Sequence, residues 1–395
     1  MNEHSELEGE PRSRLIHDKW EPGPDQPFRI PPVISLPHIS SSSASSARVA
    51  QPRTEGYKNI KTMSAAQSAA STPSYSTPYS NIEHVFEDPE HEHYYSDTPP
   101  PGSMASQTDH LLIYPRQFVL PTGQAFTTLS KLKSSGYKNV WEPMDGDERF
   151  WQIHSEPKIA IGQRAILVKT PKGNVLWDCI TLLDEETIEW INSLGGLAAI
   201  VISHPHYYTT HLEWADAFDC PVYLSWEDKQ WLNRLDRLGK ARTFIEGTEE
   251  DIEVRGEKIG VKIVKLGGHF PGSLVCLAFG RLLIADTLVT TPSGMGDWTK
   301  GPDGGKWGRP SGMNTYSFFW SIPNMIPLSA EEIAGMWKIL KDYEFSSTHG
   351  AFKGTEVSDG AKGSDTTVKQ RVLESMQIQV KRMGWRDHAF LQETM

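Results

Sequence analysis

Cysteine is scarce in this chain of 395 residues, with only Cys179, Cys220 and Cys276 present. They are widely spaced and form no Cys-x-x-Cys pair. That excludes a disulfide scaffold and a cysteine zinc ribbon, and it suits a reducing compartment. Basic charge is also short: 39 Lys and Arg stand against 50 Asp and Glu, a formal charge of −11. Polyanions such as nucleic acid or an anionic membrane surface are therefore not expected partners. No apolar run approaches the roughly 20 residues that cross a bilayer. The opening MNEHSELEGEPRSRL lacks the basic and apolar blocks of a secretory signal. The expectation is a cytoplasmic protein that acts on a small molecule. Hydrophobic residues make up 38%, below the roughly 45–50% of an ordinary globular chain, so part of the chain is expected to stay unfolded.

That part is placed at residues 1–108. The stretch is rich in Ser, Pro, Ala, Glu and His, including the Ser40–Ser46 tract, STPSYSTPYS from Ser71, and Pro99–Pro101. Its sparse apolar residues show no period, and such a segment cannot bury enough surface to offset its ordering entropy. His91 and His93 form an H-x-H within it, a weak metal pair at best beside the plainer reading of a solvated acidic tail.

Residues 109–395 read as one folded domain. Ile161–Thr170 and Asn174–Ile180 are strand candidates joined by the turn Pro171–Gly173. Asp184–Leu194 carries Ile188, Ile191 and Leu194 at helical spacing and ends at Gly195-Gly196. Leu197–Ser203 is a continuous apolar run, the mark of a buried strand. A helix begins near Thr210, and Cys220–Ser225 is a further strand. The second half repeats the style. Gly260–Leu266, Ser273–Phe279, Arg281–Asp286 and Phe345–Gly350 read as strands, and Ala330–Tyr343 and Val368–Met383 as helices. Strands and helices mix in both halves, which predicts an α+β chain with two packed sheets and helices outside.

Polar residues follow several of these strands. His204 and His206 come directly after LAAIVIS, His269 follows VKIVKLGG, Asp286 ends RLLIAD, and His349 ends FSSTHG. Alternate residues of an extended segment share a face, so His204 and His206 can meet one metal ion. Three imidazoles and a carboxylate complete a tetrahedral zinc site, or leave a position open if one stays unbound.

ILVKTPKGNVLWDC, IVISHPHYY, LGGHFPGSLV, LLIADTL and THGAF, in that order, resemble the metallo-β-lactamase-fold superfamily. The resemblance implies an αββα sandwich, two mixed β-sheets with helices on the outer faces, and a metal at one edge. It implies His204, His206, His269 and Asp286 at the first metal position. Asp286 and His349 would belong to a second, which the family completes with the last two residues of H-x-H-x-D-H. Here Tyr208 and Thr209 stand in those two places, and neither is a good zinc ligand. A mononuclear centre is therefore expected, with His211, two residues on, as a possible further ligand. Asp178 matches the strand-end Asp of the family, which is structural.

A zinc ion at this position would activate water, and the expected activity is hydrolysis of a small ester, thioester or lactone. Tyr207 or Tyr208 would donate to a developing oxyanion or simply pack beside the loop; Tyr208 and His349 are the candidate catalytic groups. Two alternatives remain at this stage. His204, His269 and Asp286 also satisfy the 2-His-1-carboxylate pattern of mononuclear non-haem iron, as in the sulfur (persulfide) dioxygenases of the superfamily. A non-catalytic binding module on the same fold is the other. On the substrate side, the loop-like stretch Thr290–Pro327 offers Trp298, Trp307, Phe318, Phe319 and Trp320 as pocket walls, with Lys306 or Arg309 to meet an anionic group. Pro115–Phe126, with Trp141 and Trp151 beyond it, reads as an arm against the sandwich.

Overall fold

The computed structural model describes residues 94–98 and 125–395, apart from 233–235, 237 and 306. The expected tail through residue 108 (save 94–98), the His91/His93 pair, Lys306 and nearly all of the arm at 115–126 lie outside the described residues.

Strands β1 (Tyr94–Thr98) and β2 (Ala125–Thr128) pair antiparallel, and the short helix α1 (Leu129–Ser134) follows. The first large sheet then runs in chain order: β3 (Lys138–Met144), β4 (Asp147–Glu156), β5 (Ala165–Val168), β6 (Val175–Trp177), β7 (Ala199–Val201), β8 (Val222–Ser225) and β9 (Arg242–Ile245). Its first three pairings are antiparallel and its last three parallel. Helix α2 (Glu185–Ser193) joins β6 to β7, and α3 (His211–Phe218) joins β7 to β8. These crossovers are what parallel neighbours require.

The second sheet starts with β10 (Glu249–Val254), β11 (Glu257–Lys265), β12 (Leu274–Ala278) and β13 (Arg281–Leu283), all antiparallel. Two small hairpins follow, β14 (Val289–Thr290) with β15 (Tyr316–Ser317) and β16 (Phe319–Ser321) with β17 (Ile326–Pro327). Helix α4 (Ala330–Leu340) returns the chain to β18 (Ser347–His349), parallel to β13, and β19 (Val357–Ser358) closes the edge. Helix α5 (Val368–Arg382) comes last among the α-helices.

Strand alternation sorts the apolar residues into layers. Ile166, Val168, Ala199 and Val201 meet Val261, Ile263, Leu274 and Cys276 between the sheets. Their neighbours Leu167, Ile200, Val222 and Leu224 face outward onto Trp214 and Phe218 of α3. On the other outer face, Val264, Val275, Leu282 and Ile284 pack on Ile333, Met336, Trp337 and Leu340 of α4 and on Val372, Met376 and Val380 of α5. Each such side chain contributes about 1.5–3 kcal/mol on burial. The layering is helix, sheet, sheet, helix: the αββα sandwich. Among the described residues no helix is long and apolar enough to cross a membrane.

Trp141 and Trp151 do not belong to an arm. They sit in the β3–β4 hairpin of the first sheet, whose turn holds Asp145 and Gly146 at φ 52° and 70°. Asp-Gly with both φ positive is the tight hairpin connection that matches strand twist.

Candidate metal centre

Four side chains converge where the two sheets share an edge. β7 runs through Ile202 and Ser203 to His204, which is extended at φ −167°, and Pro205 then opens a 3-10 turn, Pro205–Tyr207, that carries His206. Four residues past the end of β11, His269 arrives after Gly267 and Gly268, both at positive φ. Gly268 also allows a close approach: a Cβ there would lie 2.8 Å from Thr287 Oγ1 and 2.9 Å from Leu328 and Met336. Asp286 stands three residues past β13.

The facing atoms of His204, His206, His269 and Asp286 all lie within 4.8 Å of one another. Asp286 Oδ2 is 3.3 Å from His204 Nε2, 3.5 Å from His206 Nδ1 and 3.6 Å from His269 Nε2. His269 Nε2 is 3.4 Å from His206 Nδ1. A tetrahedral ion with bonds of about 2.0–2.1 Å needs ligand atoms about 3.3–3.4 Å apart. The donor set and spacing fit a metal ion. His204 Nε2 is buried without a hydrogen-bond partner, as a lone pair reserved for an ion would be.

Neighbouring groups fix the ring orientations. His269 Nδ1 donates to the backbone carbonyl of Phe319 at 2.9 Å. A carbonyl only accepts, so the proton of the neutral ring sits on Nδ1 and Nε2 presents its lone pair. Burial pushes His269 well below the usual imidazole range, which keeps the ring neutral. On His204, Nδ1 pairs with Ser203 Oγ at 2.8 Å. The Ser203 amide in turn donates to Asp178 Oδ1 at 2.7 Å. Asp178 is a buried carboxyl that desolvation pushes up to about 7 against the pull of His204 and the Ser203 hydrogen bonds. Burial also opposes ionisation of Asp286, but the imidazoles around it, His204 foremost, hold it well below the usual carboxylate range.

The Phe319 carbonyl is itself held. Arg371, Ser375 and Gln379, spaced four residues apart on α5, clamp the preceding segment. Arg371 donates to Thr315 Oγ1 and to the Gly294 carbonyl, and Ser375 Oγ accepts from the amides of Thr315 and Tyr316. Gln379 both accepts from the Phe318 amide and donates to its carbonyl.

Three expected site residues are not brought to this group. The His349 ring lies against Phe150, with Nε2 paired to Ser347 Oγ at 3.0 Å and Nδ1 buried without a partner. Residues 347 and 349 alternate onto the inter-sheet side of β18, while Thr348 turns outward to the Tyr316 hydroxyl. Tyr208 is buried in the outer core of the first sheet, its hydroxyl donating to the Asp228 carbonyl at 3.4 Å. His211 Nε2 accepts from Arg242 Nε at 2.9 Å, and its Nδ1 meets the Tyr208 carbonyl. Thr209, in the other departed position, pairs with Thr181 at 3.0 Å. Tyr207 packs its ring 5.6 Å from that of His204 and keeps a buried hydroxyl without a partner among the described residues.

A cavity of about 330 Å³ opens onto His206, His269 and Asp286. Its walls differ from the expected ones. Trp298 and Trp307 pair with each other edge to face, Phe318 is core beneath α5, Trp320 packs on that core, and Arg309 is paired to Glu374 at 2.7 Å. The stretch contributes Thr290, Ile322 and Pro323 instead.

No family model matches this chain. The uncharacterized protein YmaE of Bacillus subtilis (strain 168) is 35% identical over 244 residues, which is 60% of this chain and 78% of that protein. The chain belongs to the YmaE family. Among solved structures, it is similar to the DIM-1 metallo-β-lactamase exposed to ceftazidime (10% identity, 62% of this chain and 98% of that one, TM-score 0.41). It is also similar to a metallo-β-lactamase from Pontibacter korlensis (13%, 60% and 98%, TM-score 0.39) and to a mutant flavo di-iron protein from Thermotoga maritima (13%, 61% and 61%, TM-score 0.38). The fold assignment of this YmaE-family chain rests on its own sheet order and layers.

Proposed function

We propose that this protein is a mononuclear zinc hydrolase that acts on a small ester, thioester or lactone-type substrate. One observation carries the reading: four ligand-type atoms converge within 4.8 Å of one another, and three of the four residues line a cavity large enough for a small molecule. Zinc bound there supplies Lewis acidity and a water whose pKa is brought to about 7. The chain's own groups do the rest. The Phe319 carbonyl holds the His269 ring in one tautomer, and the Ser203 hydroxyl orients the His204 ring. Asp286, partly open to the cavity with 21% side-chain exposure, adds the anionic donor.

The full chain, purified without added metal, is compared with the His204→Ala/His269→Ala double variant by elemental analysis and by turnover of p-nitrophenyl esters and a thioester. About one zinc per chain, with both zinc and turnover lost in the variant, is the expected result. Iron with persulfide-dependent oxygen uptake would replace hydrolysis by the dioxygenase reading. No metal after reconstitution would overturn both and leave the binding module.

A further inference from the structure

We infer that the substrate of this site is uncharged and seats an apolar acyl or alkyl group in the cavity beside the His/Asp group. The inference rests on the metal-centre reading above and adds the substrate class. Six wall residues from four segments are apolar: Ile161 ahead of β5, Leu288 and Val289 at β14, Ile322 and Pro323 between β16 and β17, and Phe352 after β18. Among the described lining residues the only charged group is Asp286, which is negative. The hydroxyls there are already engaged, with Thr290 donating to the Thr355 carbonyl and Thr355 to that of Phe352.

Arg164, Lys353 and Arg309, among the described residues, are committed elsewhere. Arg164 is bound to the Gly350 carbonyl, Gln152 and Glu356; Lys353 pairs with Glu142; and Arg309 pairs with Glu374. A carboxylate or phosphate at the substrate end remote from the metal position would lose its hydration against these apolar walls and gain no side-chain counter-ion among the described lining residues. The chain's net charge of −11 also slows the approach of anions. Methylenes, by contrast, gain. Each one transferred from water to this wall should raise kcat/KM about fourfold until the cavity is filled.

The test uses the full-length, zinc-loaded protein and p-nitrophenyl acetate, butyrate and hexanoate, together with the mono-p-nitrophenyl ester of adipate. The adipate ester matches hexanoate in length but ends in a carboxylate. Expected are a rise from acetate to hexanoate and a hexanoate preference over adipate of about 30-fold or more. Ile322→Lys, at a half-buried loop position, should invert that preference with zinc content unchanged. Equal use of adipate, or a flat chain-length series, would overturn the inference. If zinc is bound but no ester turns over, calorimetry with octanamide decides. Octanamide binding that weakens at least tenfold in Ile322→Lys upholds the apolar seat while the hydrolase reading fails. Absence of binding to the wild-type protein overturns the seat itself.

Discussion

Arg164 donates two hydrogen bonds to one atom, the backbone carbonyl of Gly350, from Nε at 3.0 Å and Nη2 at 2.9 Å. It returns a third side of the same contact through its own amide, which donates to the Ala351 carbonyl at 2.9 Å. The residue stands at the head of β5 in the first sheet, and Gly350 follows β18 in the second. A buried guanidinium thus ties the two sheets together beside the cavity wall, and Glu356 balances its charge at 2.6 Å.

Removing that tie is predicted to loosen the wall before the metal group. Arg164→Met leaves the Gly350 carbonyl and the partly exposed Glu356 without their partner, at a cost of about 2–3 kcal/mol. Urea denaturation should show this loss. Zinc stoichiometry should stay near wild type, because Arg164 touches none of the four converging side chains.

The orientation of the His204 ring depends on Ser203. Ser203→Ala removes the partner of His204 Nδ1 but leaves the backbone amide bonded to Asp178. Zinc affinity, read by competition with a chromophoric chelator, is expected to fall about tenfold or more. Ser203→Thr should restore most of it.

Gln379 acts on the same group from the far side of the second sheet. Gln379→Leu deletes both bonds to the Phe318 backbone and frees the carbonyl of Phe319 to move. The expected result is a zinc affinity reduced severalfold to tenfold, with α5 still folded by circular dichroism.

His349 makes stability depend on pH. Burial first, then the charges of Arg281 and Arg164, push its imidazole from 6.5 down to about 3. Between those values the unfolded chain binds a proton that the folded chain does not. Stability from this group is therefore intact above pH 6.5 and is lost as pH falls toward 3, by up to about 1.4 kcal/mol per pH unit. Denaturant midpoints from pH 7 to 4.5 should fall less steeply in His349→Gln.

Much of this arrangement was legible in the residues because the core strands are continuous apolar runs. Leu197–Ser203 and Arg281–Ala285 announce both the strand and the candidate ligand after it. The edges were harder to see. β9 and β10 read RTFI and EEDIEV, half polar because one face meets solvent, so no apolar run marks them. His349 shows where pattern alone misleads. THG after a short strand looks like the other ligand loops, but which side of β18 the ring takes depends on its register with β13. Tyr208 stands where the motif expects a ligand, yet its apolar ring finds the outer core a better place than a polar edge. The Phe319 carbonyl could not have been found at all. A backbone acceptor carries no signature in residue type, and its partner lies 50 positions away.

The four converging side chains come from both halves of the chain, His204 and His206 from the first sheet and His269 and Asp286 from the second. Between them the Leu274 amide donates to the Ser203 carbonyl at 2.8 Å, joining the sheets directly behind the ligands. During synthesis the first half therefore emerges with only a pair of imidazoles, a poor chelator. The full group of four forms only once β13 has been made and docked. The group is thus complete only in an assembled fold, and a chain stalled before Asp286 lacks its one anionic member.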